Sequence, residues 1–270
     1  MTSDAQSDIA VTDDGASLRF WLQGAGPRTV LLVSGLGGTG GFWTDVAAQI
    51  AADARVIRFD QRGIGASTRG TAEVSIERLA KDCLAVLDAA SATSAVLLGH
   101  STGGCIVETC TRIAPERVEA LILSATWIRR SRYMTALFET RLEMLELQPL
   151  AYTKSAALLS FPPAWLEANW HAYEAAINKA PISAEAGRVV RERINALLSY
   201  NGPGGAGLPE LPTLVLGARD DMIVPSFLQE ELGAAMPLAQ FEMFDHGGHF
   251  FPLTRGDDFC ARVSGWMAAL

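Results

Sequence analysis

Ala95-Val96-Leu97-Leu98-Gly99-His100-Ser101-Thr102-Gly103-Gly104-Cys105-Ile106-Val107-Glu108-Thr109-Cys110-Thr111-Arg112-Ile113 decides how this chain folds. The first four residues are apolar and branched, as in a buried strand. The residues after Gly104 read as a helix. Between them Gly99-His100-Ser101-Thr102-Gly103 is Gly-x-Ser-x-Gly in a strand–turn–helix context, the setting of a nucleophile elbow. Glycine at both flanks lets the backbone turn sharply and holds Ser101 out as a candidate nucleophile. The pattern alone fits an ordinary glycine-rich turn equally well, so the rest of the chain has to decide.

Upstream, Thr29-Val30-Leu31-Leu32-Val33 is a continuous apolar run, expected for a strand covered on both faces. It ends in the glycine-rich loop Ser34-Gly35-Leu36-Gly37-Gly38-Thr39-Gly40-Gly41, with a helix expected over residues 42–52. The loop lacks the Gly-Lys-Ser/Thr ending of a phosphate cradle. Arg55-Val56-Ile57-Arg58-Phe59-Asp60 is a further strand. Helical spacing runs through Ile76, Leu79, Ala80, Cys83, Leu84 and Leu87, with Ser75 as N-cap. Two short antiparallel strands are expected around Asp14-Gly15.

Downstream, Val118-Glu119-Ala120-Leu121-Ile122-Leu123 continues the strand–helix alternation, which implies a parallel sheet with helices on both faces. The alternation then stops. Residues 125–200 hold no convincing strand and are rich in bulky groups, so an inserted helical cap is expected there, broken at Phe161-Pro162-Pro163-Ala164-Trp165. Most of its aromatics should form the cap's own core; Trp127, Phe161 and Trp165 are the candidates to line a substrate pocket. Arg129, Arg130 and Arg132 could hold a substrate carboxylate or simply form a solvated patch. After the linker Asn201-Gly202-Pro203-Gly204-Gly205-Ala206-Gly207, the sheet resumes at Pro212-Thr213-Leu214-Val215-Leu216-Gly217. Two acids follow it, Asp220-Asp221, and the last strand, residues 240–244, ends in Asp245-His246-Gly247-Gly248-His249.

A serine nucleophile needs an imidazole to take its proton and a carboxylate to orient that imidazole. Ser101, an acid at 220–221 and a histidine at 246 or 249 supply these in the order Ser, Asp, His, each after a strand.

Asp60-Gln61-Arg62-Gly63-Ile64-Gly65-Ala66-Ser67 matches the Asp-x-Arg-Gly-x-Gly-x-Ser signature, and with the elbow it makes the chain resemble the α/β-hydrolase fold superfamily. Within it the chain is most similar to the aminoacrylate hydrolases of pyrimidine degradation. That similarity rests on Ser34-Gly35-Leu36-Gly37-Gly38 before Phe42-Trp43, Asp60-Gln61-Arg62-Gly63, the Phe161–Trp165 break, Asp220-Asp221 ahead of Val224-Pro225, and Gly247-Gly248-His249. Enol-lactone hydrolases and C–C bond hydrolases share the core motifs. The resemblance implies an α/β fold with a mostly parallel eight-stranded sheet, helices on both faces and an inserted cap. It places the core at 1–125 and 209–270 and the cap at 126–208. It selects His249 over His246. An acid four residues before Pro225 selects Asp221, whereas counting from Gly217 favours Asp220; Asp221 is carried forward. The backbone N–H groups of Leu36 and Thr102 become the expected oxyanion hole. Asp60 and Arg62 become structural ties, and His100 a structural neighbour. Ser34 departs from the commoner His-Gly start of the oxyanion loop, and Ser101 excludes the aspartate nucleophile of haloalkane dehalogenases and epoxide hydrolases.

Of 270 residues, 49% are hydrophobic and 19% charged, enough for a sizeable core. A net charge of −8 without a long basic run argues against a nucleic-acid surface. No run approaches the ~18 apolar residues of a membrane span, and the polar, acidic start carries no secretory signal. The four cysteines form no C-x-x-C pair and read as packed thiols. A cytoplasmic enzyme acting on a small molecule, without cofactor or metal, is expected; composition leaves the oligomeric state open. The triad is compatible with cleavage of an ester, lactone or amide, with C–C cleavage of a diketone, or with perhydrolysis as a side reaction. A ligand-binding protein with a vestigial triad is the reading from another class.

Overall fold

The computed structural model describes residues 5–203 and 207–270. Residues 1–4 of the polar N-terminal segment and 204–206 of the glycine-rich linker lie outside the described residues. Eight strands form one sheet: β1 (Gln6–Val11), β2 (Ser17–Gln23), β3 (Arg28–Val33), β4 (Ala54–Phe59), β5 (Ala95–His100), β6 (Val118–Ser124), β7 (Thr213–Ala218) and β8 (Ala239–Phe244). Their order is β1-β2-β4-β3-β5-β6-β7-β8. β1 and β2 pair antiparallel, β2 joins β4 antiparallel, and every later pairing is parallel. This is the architecture that the resemblance implies.

Side-chain alternation explains the layers. Val30, Leu32, Val56, Val96, Leu98 and Ile122 enter a core formed with α1 (Thr44–Ile50) and, at the C-terminus, α11 (Gly256–Ala268). Leu31, Val33, Ile57, Leu97, Leu121 and Leu123 enter the opposite core, formed with α2 (Ile76–Ala89) and α3 (Thr102–Ile113). Burial on both faces is why β5 and β7 carry no exposed residue. Ser75 caps α2, its hydroxyl accepting from Arg78 N–H at 3.1 Å. The helix expected over 42–52 starts later than the periodicity suggests: a 3-10 turn at Gly40–Trp43 precedes α1. Asp60 accounts for the delay, since its carboxylate accepts from Gly40 N–H at 2.8 Å and ties the turn to the end of β4. Arg62 is buried and anchors the same loop through Asp82 at 2.6 Å and Asp14 at 2.9 Å.

Between β6 and β7 the described residues form five helices and no strand: α4 (Arg132–Leu147), α5 (Pro149–Ser160), α6 (Pro163–Ala168), α7 (Trp170–Ile177) and α8 (Ala184–Ser199). Met134, Phe138, Leu145, Ile194 and Leu197 from this insertion belong to the same apolar cluster as α2 and α3, so it packs on the core without a separate hydrophobic centre of its own. After β7, α9 (Ser226–Ala235) leads to β8, and the one-turn α10 (Phe251–Thr254) leads to α11. Among the described residues no helix is long and apolar enough to cross a membrane. All four cysteines are buried and unpaired by disulfides; burial pushes the Cys105 thiol up to about 12 and Cys260 up to about 11.

The elbow depends on backbone packed against backbone. A Cβ on Gly103 would lie 2.2 Å from Val33 O, and one on Gly99 would lie 2.3 Å from Gly103 O. Neither oxygen belongs to a flexible side chain that could move away. Gly103→Ala is therefore expected to cost about 3 kcal/mol in urea denaturation. Gly265→Ala is the matched control, because nothing lies within 4 Å of that added methyl on α11. It is expected to raise stability by about 1 kcal/mol.

Candidate active site

Four loops meet at the C-terminal ends of β3, β5, β7 and β8. The chain leaves β3 for β4 on one side of it and returns to β5 on the other, so the crevice between β3 and β5 is the topological switch point where such sheets bind ligands. Pairing of Val33 with Gly99 brings the loop after β3 level with the elbow. Gly35 then lies so close that an added Cβ would be 2.9 Å from Ser101 Cβ.

Ser101 stands between β5 and α3 at φ 56°, ψ −125°, a sparsely populated backbone region for a residue with a side chain. It is held there by its own N–H donating to Ser124 O at 2.8 Å and by Gly104 N–H donating to Ser101 O at 2.9 Å. As the first residue of α3, Thr102 has a backbone N–H with no intrahelical acceptor. Among the described residues neither Thr102 N–H nor Leu36 N–H meets an acceptor, and Leu36 lies on the loop beside the elbow.

His249 is 4% exposed, and its Nδ1 lies 2.8 Å from Asp221 Oδ2. The carboxyl of Asp221 also accepts from Ile223 N–H at 2.8 Å, Val224 N–H at 2.9 Å and Gln229 Nε2 at 3.3 Å. A carboxylate receiving this set accepts from Nδ1–H as well, which leaves the lone pair on Nε2. Asp220 points elsewhere. It accepts from Gly247 N–H at 3.2 Å and Gly248 N–H at 2.9 Å, shaping the turn that carries His249. The two spacings disagree and Asp221 is the acid carried forward; the structure places Asp221, and not Asp220, on the imidazole. His246 is exposed and pairs with Arg255 at 2.6 Å. No hydrogen bond joins Ser101 Oγ to His249 among the described residues.

His100, just before the serine, is enclosed by aromatic rings. Its centroid is 5.1 Å from Phe42 and 4.9 Å from His249, and its Nδ1 lies 3.0 Å from Ser124 Oγ. Burial first, and the neighbouring imidazole second, hold its pKa well below the ordinary histidine value of 6.5. His100 is thus neutral beside His249. The unfolded chain binds this proton more readily than the native one, so stability rises with pH through the window below about 6.5 and is complete above it. Urea unfolding between pH 7.5 and 5 is expected to show a loss approaching ~1.4 kcal/mol per pH unit from this group. His100→Gln should flatten that slope; an unchanged slope would assign it to other groups.

Phe161 and Trp165, at the break between α5 and α6, stack 4.9 Å apart. Phe161 meets Phe250 edge-on at 5.2 Å, and Phe250 lies 5.6 Å from His249. Phe250 N–H also donates to Ser160 O at 3.0 Å. These two candidates therefore flank the histidine loop. Trp127 is buried in the core cluster beyond β6. Arg129 is exposed and pairs with Glu231 at 2.7 Å; Arg132 is exposed and Arg130 half-buried. The arginine that reaches the site is one the sequence reading missed, Arg193 of α8. It is 2% exposed and donates through Nε to Leu36 O at 2.7 Å. The available signal is helical spacing: Arg193 shares the apolar face of α8 with Val189 and Leu197, four residues to either side, and Arg188 and Arg191 do not. Among the described residues no three His, Cys, Asp or Glu side chains converge as metal ligands.

The alpha/beta hydrolase fold family matches residues 28–255. A protein of Azorhizobium caulinodans that carries the provisional name carbamate hydrolase RutD is 32% identical over 256 residues, 94% of this chain and 96% of its own. A likewise named protein of Caulobacter segnis is 32% identical over 241 residues, covering 87% and 89%. Among solved structures, a hydrolase from Pseudomonas aeruginosa superposes with a TM-score of 0.85 at 25% identity, covering 97% of this chain and 98% of that one. The enol-lactonase of Burkholderia xenovorans gives 0.85 at 21% identity, covering 97% and 100%, and speaks for the fold. With the match running from β3 to the start of α11, and with relatives similar over almost their whole length, this chain belongs to the alpha/beta hydrolase family and is an enzyme of the hydrolase class.

Proposed function

We propose that the chain is a cofactor-independent serine hydrolase of small carbonyl compounds: esters, lactones, amides or carbamates. The observation that carries this reading is the 2.8 Å His249–Asp221 pair, with its Nε2 lone pair available, at the same sheet edge as the strained Ser101. In the proposed reaction, Ser101 Oγ attacks the carbonyl carbon and His249 Nε2 takes its proton. Asp221 keeps the proton on Nδ1 and stabilises the imidazolium. Leu36 N–H and Thr102 N–H receive the developing oxyanion. His249 then gives its proton to the leaving group, and water cleaves the acyl-enzyme by the same relay. The Ser101–His249 hydrogen bond forms when substrate closes the site. The insertion acts as a cap, with Phe161 and Trp165 lining the pocket beside Phe250. The names of the RutD relatives and the enol-lactonase support small acyl substrates of this kind.

The test is labelling by a fluorophosphonate probe followed by peptide mapping, alongside turnover of p-nitrophenyl acetate. Label on Ser101 and a burst of p-nitrophenol are expected. An unlabelled, inactive wild type would favour the vestigial, ligand-binding alternative.

A further inference from the structure

The loop after β3 is held almost wholly by its carbonyl oxygens. Gln61 Nε2 donates to Ser34 O at 2.7 Å, Gln61 N–H donates to Gly38 O at 2.8 Å, and Ser34 Oγ donates to Thr39 O at 2.6 Å. Two carbonyls of the intervening stretch accept from Arg193: Nη2 donates to Gly35 O at 3.1 Å, alongside the turn's own Gly38 N–H at 3.0 Å, and Nε donates to Leu36 O at 2.7 Å. Nη2 also meets Gln61 Oε1 at 2.5 Å, which locks the guanidinium to the core residue that holds the rest of the loop.

Gly35 C=O and Leu36 N–H belong to one peptide unit. In a trans peptide they point in opposite directions. A donor that fixes the carbonyl toward α8 therefore aims the N–H away from α8. A cation on the carbonyl oxygen also polarises the amide and strengthens its N–H as a donor, most effectively in a buried, low-dielectric setting. Arg193 meets these conditions. Among the described residues no carboxylate forms a direct ion pair with it and its Nη1 is buried without a partner, while Asp82 acts on it only at longer range, so the guanidinium's direct partners at this loop are carbonyl oxygens. Burial lowers its pKa to about 10, which leaves it protonated at neutral pH.

We propose that Arg193 is a positioning residue for the reaction: from the helical insertion it aims and polarises the Gly35–Leu36 peptide, so that the oxyanion hole is complete only when the insertion is seated on the core. The inference rests on the serine-hydrolase reading above.

The test compares Arg193→Met and Arg193→Lys with Arg141→Met. Arg141 is also buried, but it bonds Tyr152 at 3.1 Å and stacks near Phe138, entirely within the insertion. Each variant is assayed for p-nitrophenyl acetate turnover, fluorophosphonate labelling rate and Tm. Arg193→Met is expected to lower kcat and labelling rate roughly 100-fold, with KM within about threefold. Arg193→Lys, whose ammonium can reach one carbonyl, should recover about tenfold of that loss. Arg141→Met should lower Tm at least as much while keeping kcat within about threefold. Equal labelling rates for Arg193→Met and Arg141→Met, or a change confined to KM, would overturn the proposal. If Arg193→Met does not fold, Arg193→Lys decides it: wild-type kcat overturns the proposal, and a selective kcat loss supports it. A wild type that neither turns over ester nor labels removes the underlying hydrolase reading instead.

Discussion

Ser101→Ala is expected to reduce kcat on an activated ester by roughly 10⁵-fold or more and to abolish fluorophosphonate labelling, with Tm within about 2 °C of wild type. Methyl and hydroxymethyl side chains share a Cβ, so the alanine inherits the same φ 56° geometry and the same contacts of the elbow. No hydrogen bond of Ser101 Oγ to His249 holds the resting fold among the described residues, so its removal costs the native state little. In the proposed mechanism catalysis loses its nucleophile outright. The residual rate measures what Leu36 N–H, Thr102 N–H and His249 can do for a water molecule. Retention of more than about one hundredth of the activity would show that another group attacks the carbonyl.

The second large effect separates the adjacent acids. Asp221→Asn is expected to lower kcat/KM by about 10⁴-fold, because an asparagine amide can turn its NH₂ toward His249 Nδ1. The ring then carries its proton on Nε2 and cannot accept one from Ser101. The amide can still accept from Ile223 N–H and Val224 N–H, which limits the structural damage. Asp220→Asn leaves the imidazole untouched and weakens one of two bonds to the Gly247-Gly248 turn. It is expected to cost about 1–2 kcal/mol of stability and no more than about tenfold in kcat/KM. Steady-state kinetics of the two variants in one buffer decide the matter. If Asp220→Asn were the more damaging, Asp220 would have to take over as the orienting acid during turnover.

The reach of the sequence follows the range of the forces involved. Apolar runs such as Val30–Val33 and Val96–Leu98, and glycines at 99 and 103, report strand burial and backbone proximity, which act over a few residues and leave a local pattern. The sheet, the elbow and the Ser, Asp, His order were legible for that reason. The direction of a side chain at adjacent positions is another matter. Asp220 and Asp221 are chemically identical, and only the path of the chain from β7 against the Gly247-Gly248 turn sends one to the backbone and the other to the ring. Arg193 is the stronger case. It lies 157 residues from Leu36, in a helix whose other arginines face solvent or surface acids. By itself the sequence determined the scaffold and where along it Ser101, Asp220-Asp221 and His249, the residues of the proposed triad, would emerge at strand ends, because hydrophobic period and turn sterics are local. Tertiary structure alone decided which carboxylate meets the imidazole and which buried cation meets the loop, because those choices depend on the packing of elements distant in the chain.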